Sequence, residues 1–215
     1  MKLKDYLRLC NDDNKSKRSR YSEYINLCKE KEKSFVSDLI YSTIIQSYIC
    51  ECSKEIYAFQ NYMDLPLLLP DNLDRINLIE LLDNFFKCKD IMFNEICDKC
   101  KKIAIHEKPV KIARETKIIV LTLQRLDILN NIKNDIYVDF SENLNIKKYI
   151  DLDIEITKKF EYELYAVIFH EGDLKEGHYY SLIKPFGQEY WYEFNNNIVK
   201  KLGKNLYHTE NAYIL

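Results

Sequence analysis

The chain has 215 residues, of which 47% are apolar and 31% charged, and its formal net charge is −2 at pH 7. This balance is typical of one globular domain or two small ones, and the low net charge argues against nucleic acid or a membrane surface as partner. No apolar run could span a membrane and no signal-peptide pattern opens the sequence, so we expect an intracellular protein of the cytoplasm or nucleus.

Charged residues dominate the start of the chain, and we predict a short helical N-terminal segment over residues 1–34. Residues 21–28 place apolar side chains at helical spacing. The basic run 15–20 predicts a solvated loop, with a targeting or phosphate-binding patch as the alternative.

Extended structure is predicted next, because residues 35–49 are rich in β-branched and aromatic side chains. Cys50-Glu51-Cys52 ends this run, and residues 56–69 form a second extended segment. Pro66 and Pro70 keep the ends of that segment away from the middle of a sheet.

Residues 71–89 carry the clearest helical pattern in the chain. Asn77 with Glu80 three residues later predicts a capping box at the helix start. We interpret the apolar stripe as core, and it consists of Leu78, Leu81, Leu82, Phe85 and Phe86.

A nearly continuous apolar run over residues 117–126 predicts a central strand buried on both faces. From residue 137 onward the pattern is one of strands and hairpins. We expect strands near 161–170, 178–184 and 189–195.

Two close cysteine pairs are candidates for a metal site. The chain has seven cysteines, an odd number, and without a secretory signal the pairs favour metal binding in a reducing compartment over disulfides. Zn²⁺ prefers four soft ligands in a tetrahedron, and a closed four-thiolate site is structural. The first pair is one residue short of the usual knuckle spacing, so four free thiols remain the alternative; the residues are Cys50, Cys52, Cys97 and Cys100.

The segment 176–181, which contains Gly177-His178-Tyr179, lies between strand-like runs at 162–170 and 182–184. The charged link 171–176 predicts a solvated hairpin loop. Histidine is the commonest general base, because its unperturbed pKa lies nearest neutrality. The alternative for His178 is a structural histidine whose ring is satisfied by a neighbouring carbonyl.

A second aromatic strand follows at residues 190–199, with the sequence Tyr-Trp-Tyr-Glu-Phe-Asn-Asn-Asn-Ile-Val. This order of strand, loop, Gly-His-Tyr, strand and Trp-x-x-Phe strand resembles the C-terminal part of the ubiquitin-specific proteases, which are thiol-dependent deubiquitinases. In that family the histidine of Gly-His-Tyr is the general base, and the first residue after the Trp-x-x-Phe strand orients it. The resemblance implies His178 as base and Asn195 as orienting residue, with Asn196 close by.

The resemblance also implies an α+β, papain-like ubiquitin-specific protease fold over residues 35–215. An antiparallel palm sheet near 117–215 would carry a zinc-finger-like strand ribbon, the finger, near 39–66 and 91–116. The finger would hold a structural Zn²⁺ on two cysteine pairs, and catalysis would need no cofactor. Family members grip ubiquitin and thread its glycine-containing tail past the histidine, so we expect residues 171–177 and 190–196 to line that channel.

The nucleophile is the part of the pattern that the sequence does not supply. Cys10 and Cys28 precede the finger, but neither has the glycine, the helix-opening position or the flanking pattern of the family's catalytic cysteine. The helical lobe that carries this cysteine is therefore expected to be truncated. One hypothesis is a deubiquitinase whose cysteine lobe lies on a second chain or in an unrecognised upstream stretch; the other is an inactive ubiquitin-binding or scaffold pseudoenzyme.

Overall fold

The structure is a computed structural model that describes residues 12, 14–32, 34–87, 97, 99–102, 106–107, 109–114, 116–127, 130, 132–154, 160–206 and 211–215. Its helices are α1 (Lys17–Glu32), α2 (Phe35–Ile40) and α3 (Leu78–Phe86), with a 3₁₀ turn at Lys147–Tyr149. Its strands are β1 (Ser42–Ile49), β2 (Glu55–Tyr62), β3 (Leu65–Leu68), β4 (Arg75–Asn77), β5 (His106–Glu107), β6 (Lys111–Arg114), β7 (Leu121–Gln124), β8 (Leu126–Asp127), β9 (Ile132–Lys133), β10 (Tyr137–Asp139), β11 (Asn143–Asn145), β12 (Glu161–Glu163), β13 (Ala166–Gly172), β14 (Gly177–Ile183), β15 (Tyr192–Asn195), β16 (Ile198–Lys201) and β17 (Ala212–Ile214).

The chain divides into two compact units. Unit 1 comprises residues 1–64, 86–119 and 147–159, and unit 2 comprises residues 65–85, 120–146 and 160–215. This division does not test the predicted boundary at residue 34, which stays a prediction.

A long antiparallel ribbon is the main feature of unit 1. Strands β1 and β2 pair over their whole length, and β5 and β6 pair with the other edge of β1. Tyr24 of α1 packs against this sheet in a buried cluster that also contains Ile45, Tyr57, Phe59, Ala113 and Ile154. The prediction of helical structure within 1–34 is confirmed for α1, but the predicted loop at 15–20 is wrong from residue 17 onward, where the helix begins.

Residues 35–40 form helix α2, so the predicted strand at 35–49 is wrong over its first part. The cause is a capping box: Ser34 accepts a hydrogen bond from the backbone N–H of Ser37, and the Ser37 hydroxyl accepts one from the backbone N–H of Ser34. Two reciprocal caps satisfy orphan donors and favour one helical turn over the β propensity of Phe35 and Val36.

Unit 2 is built on a seven-stranded sheet in the order β16-β15-β14-β13-β17-β7-β3. All neighbouring pairs are antiparallel except β3 with β7. The final strand β17 lies between β13 and β7, so the chain end is inside the sheet. The buried side chains of unit 2 include Leu67, Leu123, Val167, Trp191 and Ala212.

Several predicted strand and helix bounds need correction. The segment 56–69 is two strands: β2 lies in the ribbon of unit 1 and β3 in the sheet of unit 2. Only residues 121–124 of the run 117–126 pair as β7, and their burial alternates instead of covering both faces. The helix predicted at 71–89 begins at Leu78, because residues 75–77 pair in parallel with β10. Asn77 still caps it by accepting from the backbone N–H of Ile79.

Within the described residues, no helix is long and apolar enough to cross a membrane.

Candidate functional site

His178 and Asn195 lie together on one face of the seven-stranded sheet. The register pairs Ser181 of β14 with Phe194 of β15, so Asn195 continues opposite Tyr180, two residues from His178 on the same face. Nε2 of His178 lies 2.7 Å from Oδ1 of Asn195. The predicted hydrogen bond between these two side chains is therefore present, and both side chains are half-buried.

Glu193, which the sequence analysis did not single out, fixes the orientation of the Asn195 amide. Nδ2 of Asn195 donates to Oε1 of Glu193 at 3.4 Å, because residues two apart on a strand share a face. A carboxylate only accepts, so the amide turns its nitrogen to Glu193 and its oxygen to His178. Nε2 of His178 is then the donor, and Nδ1 is left with its lone pair as the basic nitrogen. The period of two between Asn195 and Glu193 was the available signal for this contact.

Asn196 has a different role from Asn195. It lies in the tight turn between β15 and β16, has φ of 53° and is exposed. Asparagine tolerates this left-handed conformation better than most residues. The structure thus brings Asn195, and not Asn196, to the imidazole of His178.

The loop between β13 and β14 is shorter than the predicted link 171–176, and hydrogen bonds hold its conformation. Strand β13 continues to Gly172 and β14 begins at Gly177. Gly172 has φ of 94°, and a Cβ there would lie 2.3 Å from the backbone oxygen of Glu176. The Asp173 carboxylate accepts from the backbone N–H groups of Glu176 and Lys175, and these bonds lower the pKa of Asp173. The loop therefore holds a defined conformation close to His178.

Tyr180 completes the face around the imidazole. Its ring stacks on Phe169 at 4.9 Å between centroids and lies 6.4 Å from the ring of His178. Burial, and then the charge of Glu171, raise the pKa of Tyr180 to about 12. Tyr180 is consequently a neutral phenol at physiological pH and contributes packing to this face.

The four predicted metal ligands converge at the tip of the ribbon in unit 1. Their Sγ atoms all lie within 4.8 Å of one another, with Cys50 3.1 Å from Cys100 and Cys52 3.7 Å from Cys97. A tetrahedral zinc site with Zn–S bonds of about 2.3 Å has sulfur–sulfur edges of about 3.8 Å. The sulfur positions fit one such ion, and the four cysteines are a cluster that can bind a metal.

Tight turns present these sulfurs. The backbone N–H of Ser53 donates to the Cys50 oxygen and that of Lys101 to the Cys97 oxygen, and both donors have positive φ. Each pair is therefore a knuckle, and the short Cys50-x-Cys52 spacing is accommodated by the left-handed residue that follows it.

The cluster favours the thiolate of Cys97 and disfavours that of Cys50. The backbone N–H groups of Cys100 and Lys99 donate to Sγ of Cys97 and lower the pKa of its thiol to about 7, against the opposing effect of burial. The backbone N–H of Cys52 acts in the same sense on Cys50, but sulfur contacts, first with Cys100, and burial outweigh it and raise that pKa to about 12. Cys97 is thus ready as a thiolate, the form in which cysteine binds metals.

Outside the cluster, the described residues do not provide a recognisable catalytic cysteine. Cys28 lies on α1 and packs, half-buried, against the cluster around Phe59 as an apolar side chain. Cys10 and Cys88 lie outside the described residues.

Comparison with known proteins identifies the family. The family described as "Ubiquitin carboxyl-terminal hydrolase" matches residues 5–215. The chain is 31% identical over 166 residues to ubiquitin carboxyl-terminal hydrolase 8 of Saccharomyces cerevisiae, covering 72% of this chain and 34% of the relative. It is 30% identical over 213 residues to ubiquitin carboxyl-terminal hydrolase 2 of Gallus gallus, covering 95% of this chain and 57% of the relative. The chain thus spans about a third to a little over half of these relatives.

A solved structure supports the same assignment. The SAGA Ubp8/Sgf11/Sus1/Sgf73 DUB module bound to ubiquitin aldehyde contains a chain that superposes with a TM-score of 0.71 at 26% identity, over 90% of this chain and 45% of that one. The predicted ubiquitin-specific protease fold, with its antiparallel sheet and few helices, is confirmed. The chain belongs to the ubiquitin carboxyl-terminal hydrolase family and, within it, to the family of the ubiquitin-specific proteases.

Proposed function

We propose that this chain provides the finger and palm of a cysteine-type deubiquitinase that hydrolyses the isopeptide bond at the carboxyl end of ubiquitin. His178 is its general base, and Asn195 orients the imidazole. The observation that carries this proposal is the 2.7 Å contact between Nε2 of His178 and Oδ1 of Asn195, with the amide oriented by Glu193.

Proton transfer follows from that tautomer. Nδ1 of His178 takes the proton of a thiol, and the thiolate forms a bond to the carbonyl carbon of the isopeptide. As the carbon–nitrogen bond breaks, the imidazolium returns the proton to the leaving lysine amine. Water, deprotonated by the same nitrogen, then cleaves the thioester and releases the carboxylate and the thiol. An asparagine orients the imidazolium without a charge, so it stabilises this cation less than an aspartate would.

The thiol comes from outside the five described cysteines. Four of them belong to the cluster, and Cys28 packs as an apolar side chain. The remaining sources are Cys10, Cys88, an upstream stretch, or a second chain that carries the family's cysteine lobe.

A structural Zn²⁺ is proposed for the cluster at the tip of the ribbon. The four thiolates would close its coordination sphere, so the ion would crosslink two turns and supply no catalytic water. The ligands are Cys50, Cys52, Cys97 and Cys100. Free thiols that persist in this arrangement require a reducing compartment, which favours the cytoplasm or nucleus.

Ubiquitin is the proposed partner. The similar SAGA module was solved with ubiquitin aldehyde. We propose that residues 171–177 and 190–196 line the path of the ubiquitin tail, because both segments flank the dyad in the sheet. The defined loop at Gly172 and Asp173 would then form one wall of that path.

A ubiquitin probe with an electrophilic carboxyl end tests the function. An adduct on a cysteine outside the cluster, lost in His178→Ala and kept in Cys28→Ser, supports the enzyme. Ubiquitin binding without an adduct, in the chain alone and with a candidate second chain, supports the alternative of a ubiquitin-binding pseudoenzyme. No binding at high micromolar ubiquitin overturns both.

A further inference from the structure

The reverse face of the hairpin that presents His178 contains a second histidine. His170 of β13 is opposite Tyr179 of β14, so its side chain is on the face away from His178. It is only 3% exposed, and its buried Nδ1 has no hydrogen-bond partner among the residues that the structure describes. A buried polar atom without a partner is costly, so packing and not ring hydrogen bonding at Nδ1 explains this position.

His170 occupies the space that a side chain at residue 177 would need. A Cβ built on Gly177 would lie 2.1 Å from Nε2 of His170 and within 3.0 Å of two more ring atoms. The rings of Tyr179 and Tyr213 flank the imidazole at 4.5 Å and 6.0 Å between centroids. The imidazole of His170 therefore packs directly against the backbone of Gly177, the residue before His178.

Lys133 of β9 binds the backbone of β13 beside the Gly172–Gly177 pair. Its side chain is 9% exposed, and Nζ donates to the backbone oxygen of Gly172 at 2.7 Å and to that of His170 at 3.3 Å. Asp135 accepts from the same ammonium at 3.2 Å. Gly172 pairs with Gly177, the last pair of the ladder before the loop.

We propose that Lys133 and His170 are positioning residues that clamp the loop end of the β13–β14 hairpin and thereby hold His178 on Asn195. Hairpin ends open more readily than sheet centres, and His178 is only one residue inside the last pair. A loosened end would let the imidazole leave Oδ1 of Asn195 and mix its tautomers. The catalytic value of this clamp rests on the proposed function, but the clamp itself is a property of this chain.

Nitrogen-15 NMR of the His178 ring in the 215-residue chain tests the clamp, at a pH where the ring is neutral. In the unmodified chain we expect one protonated nitrogen, Nε2, and one unprotonated nitrogen, Nδ1, with well-separated chemical shifts. In Lys133→Met the two shifts should move towards each other, with the Nε2 proton exchanging about tenfold faster, the factor typical of one lost hydrogen bond.

Controls separate the clamp from general destabilisation. Lys133→Arg keeps donors for both carbonyls and should restore the shifts, whereas Lys204→Met, an exposed lysine of unit 2 outside the proposed ubiquitin path, should leave the His178 shifts unchanged. Gly177→Ala should mix the tautomers as well, because the methyl group collides with His170. If Gly177→Ala does not fold, Lys133→Met alone decides.

Unchanged His178 shifts in a folded Lys133→Met chain overturn the proposal. This readout needs neither a thiol nor ubiquitin, so it can fail or succeed independently of the electrophilic probe.

Discussion

The cysteine cluster of unit 1 and the His178–Asn195 pair of unit 2 are both built at the ends of hairpins, but different forces hold them. The cluster joins two turns that are distant in sequence through side-chain sulfurs, with one exposed ion pair between Lys102 and Glu51 beside them. The pair lies on adjacent strands of one sheet, where the backbone ladder sets both Cα positions before any side chain acts. The comparison predicts that the first site depends on the ion proposed to bind there, whereas the second depends on strand register and on a few supporting side chains.

The largest effect is expected from removing the proposed metal. Apparent binding free energies of structural zinc are on the order of 10 kcal/mol, so losing one ligand should cost several kcal/mol of the stability of unit 1. We expect about one equivalent of zinc by elemental analysis, and a large fall in melting temperature in Cys97→Ser or with a chelator. Cys28→Ser, the matched control, should retain zinc and lose far less. A chelator that leaves the melting temperature unchanged would contradict the zinc assignment.

In contrast to Cys97→Ser, His178→Ala should lower activity strongly and stability only slightly. Loss of a general base typically costs about 10²- to 10⁴-fold in rate, while the loss of one half-buried hydrogen bond costs about 1 kcal/mol of stability. We therefore expect kcat/KM on a fluorogenic ubiquitin amide to collapse with zinc content unchanged. Asn195→Ala should lower kcat/KM about tenfold.

The matched control for Asn195→Ala is Asn197→Ala, an exposed asparagine in the same turn. It should leave kcat/KM as it is. Equal losses in the two variants would mean that the turn, and not the hydrogen bond to His178, is what matters.

Unit 2 should also lose stability at mildly acid pH, through His170. Burial, and then the charge of Lys133, lower the pKa of His170, against the weaker opposing charges of Asp135 and Asp173. The unfolded chain therefore binds a proton at higher pH than the folded one, so stability falls as pH drops through the ordinary histidine pKa of about 6.5. His170→Phe should flatten this dependence between pH 7.5 and 5.5. Denaturation at both pH values checks it, and an equal slope in the variant would refute it.

The parts that could be predicted from the sequence are those governed by local pattern. The strands around His178 and the cysteine pairs follow from alternation and spacing, and the family resemblance supplied the pairing of His178 with Asn195. The start of the helix at Leu78 could not be predicted, because the parallel pairing of β4 with β10 joins residues 62 positions apart. The contacts of His170 and Lys133 likewise depend on which strands become neighbours, whereas the contact of Glu193 with Asn195 had a local signal in their spacing of two.

The smallest effect is expected at Glu193, the outer support of the histidine–asparagine pair. The amide of Asn195 has two orientations, and the carboxylate of Glu193 accepts only from Nδ2. In Glu193→Gln the side chain can donate as well, so the flipped amide becomes accessible, with Nδ2 donating to Nε2 of His178 and the ring proton moving to Nδ1. Because the contact is long, at 3.4 Å, and half-buried, we expect only about a two- to threefold loss of kcat/KM, in line with a weak hydrogen bond. The ring nitrogen-15 shifts of His178 should show partial mixing of its two tautomers.

Glu189→Gln, at an exposed glutamate that pairs with Lys204, is the matched control and should change neither kcat/KM nor the shifts. If Glu193→Gln leaves the tautomer of His178 untouched, the sheet backbone alone orients Asn195, and the contrast with the cysteine cluster, for which we propose a bound ion, becomes larger.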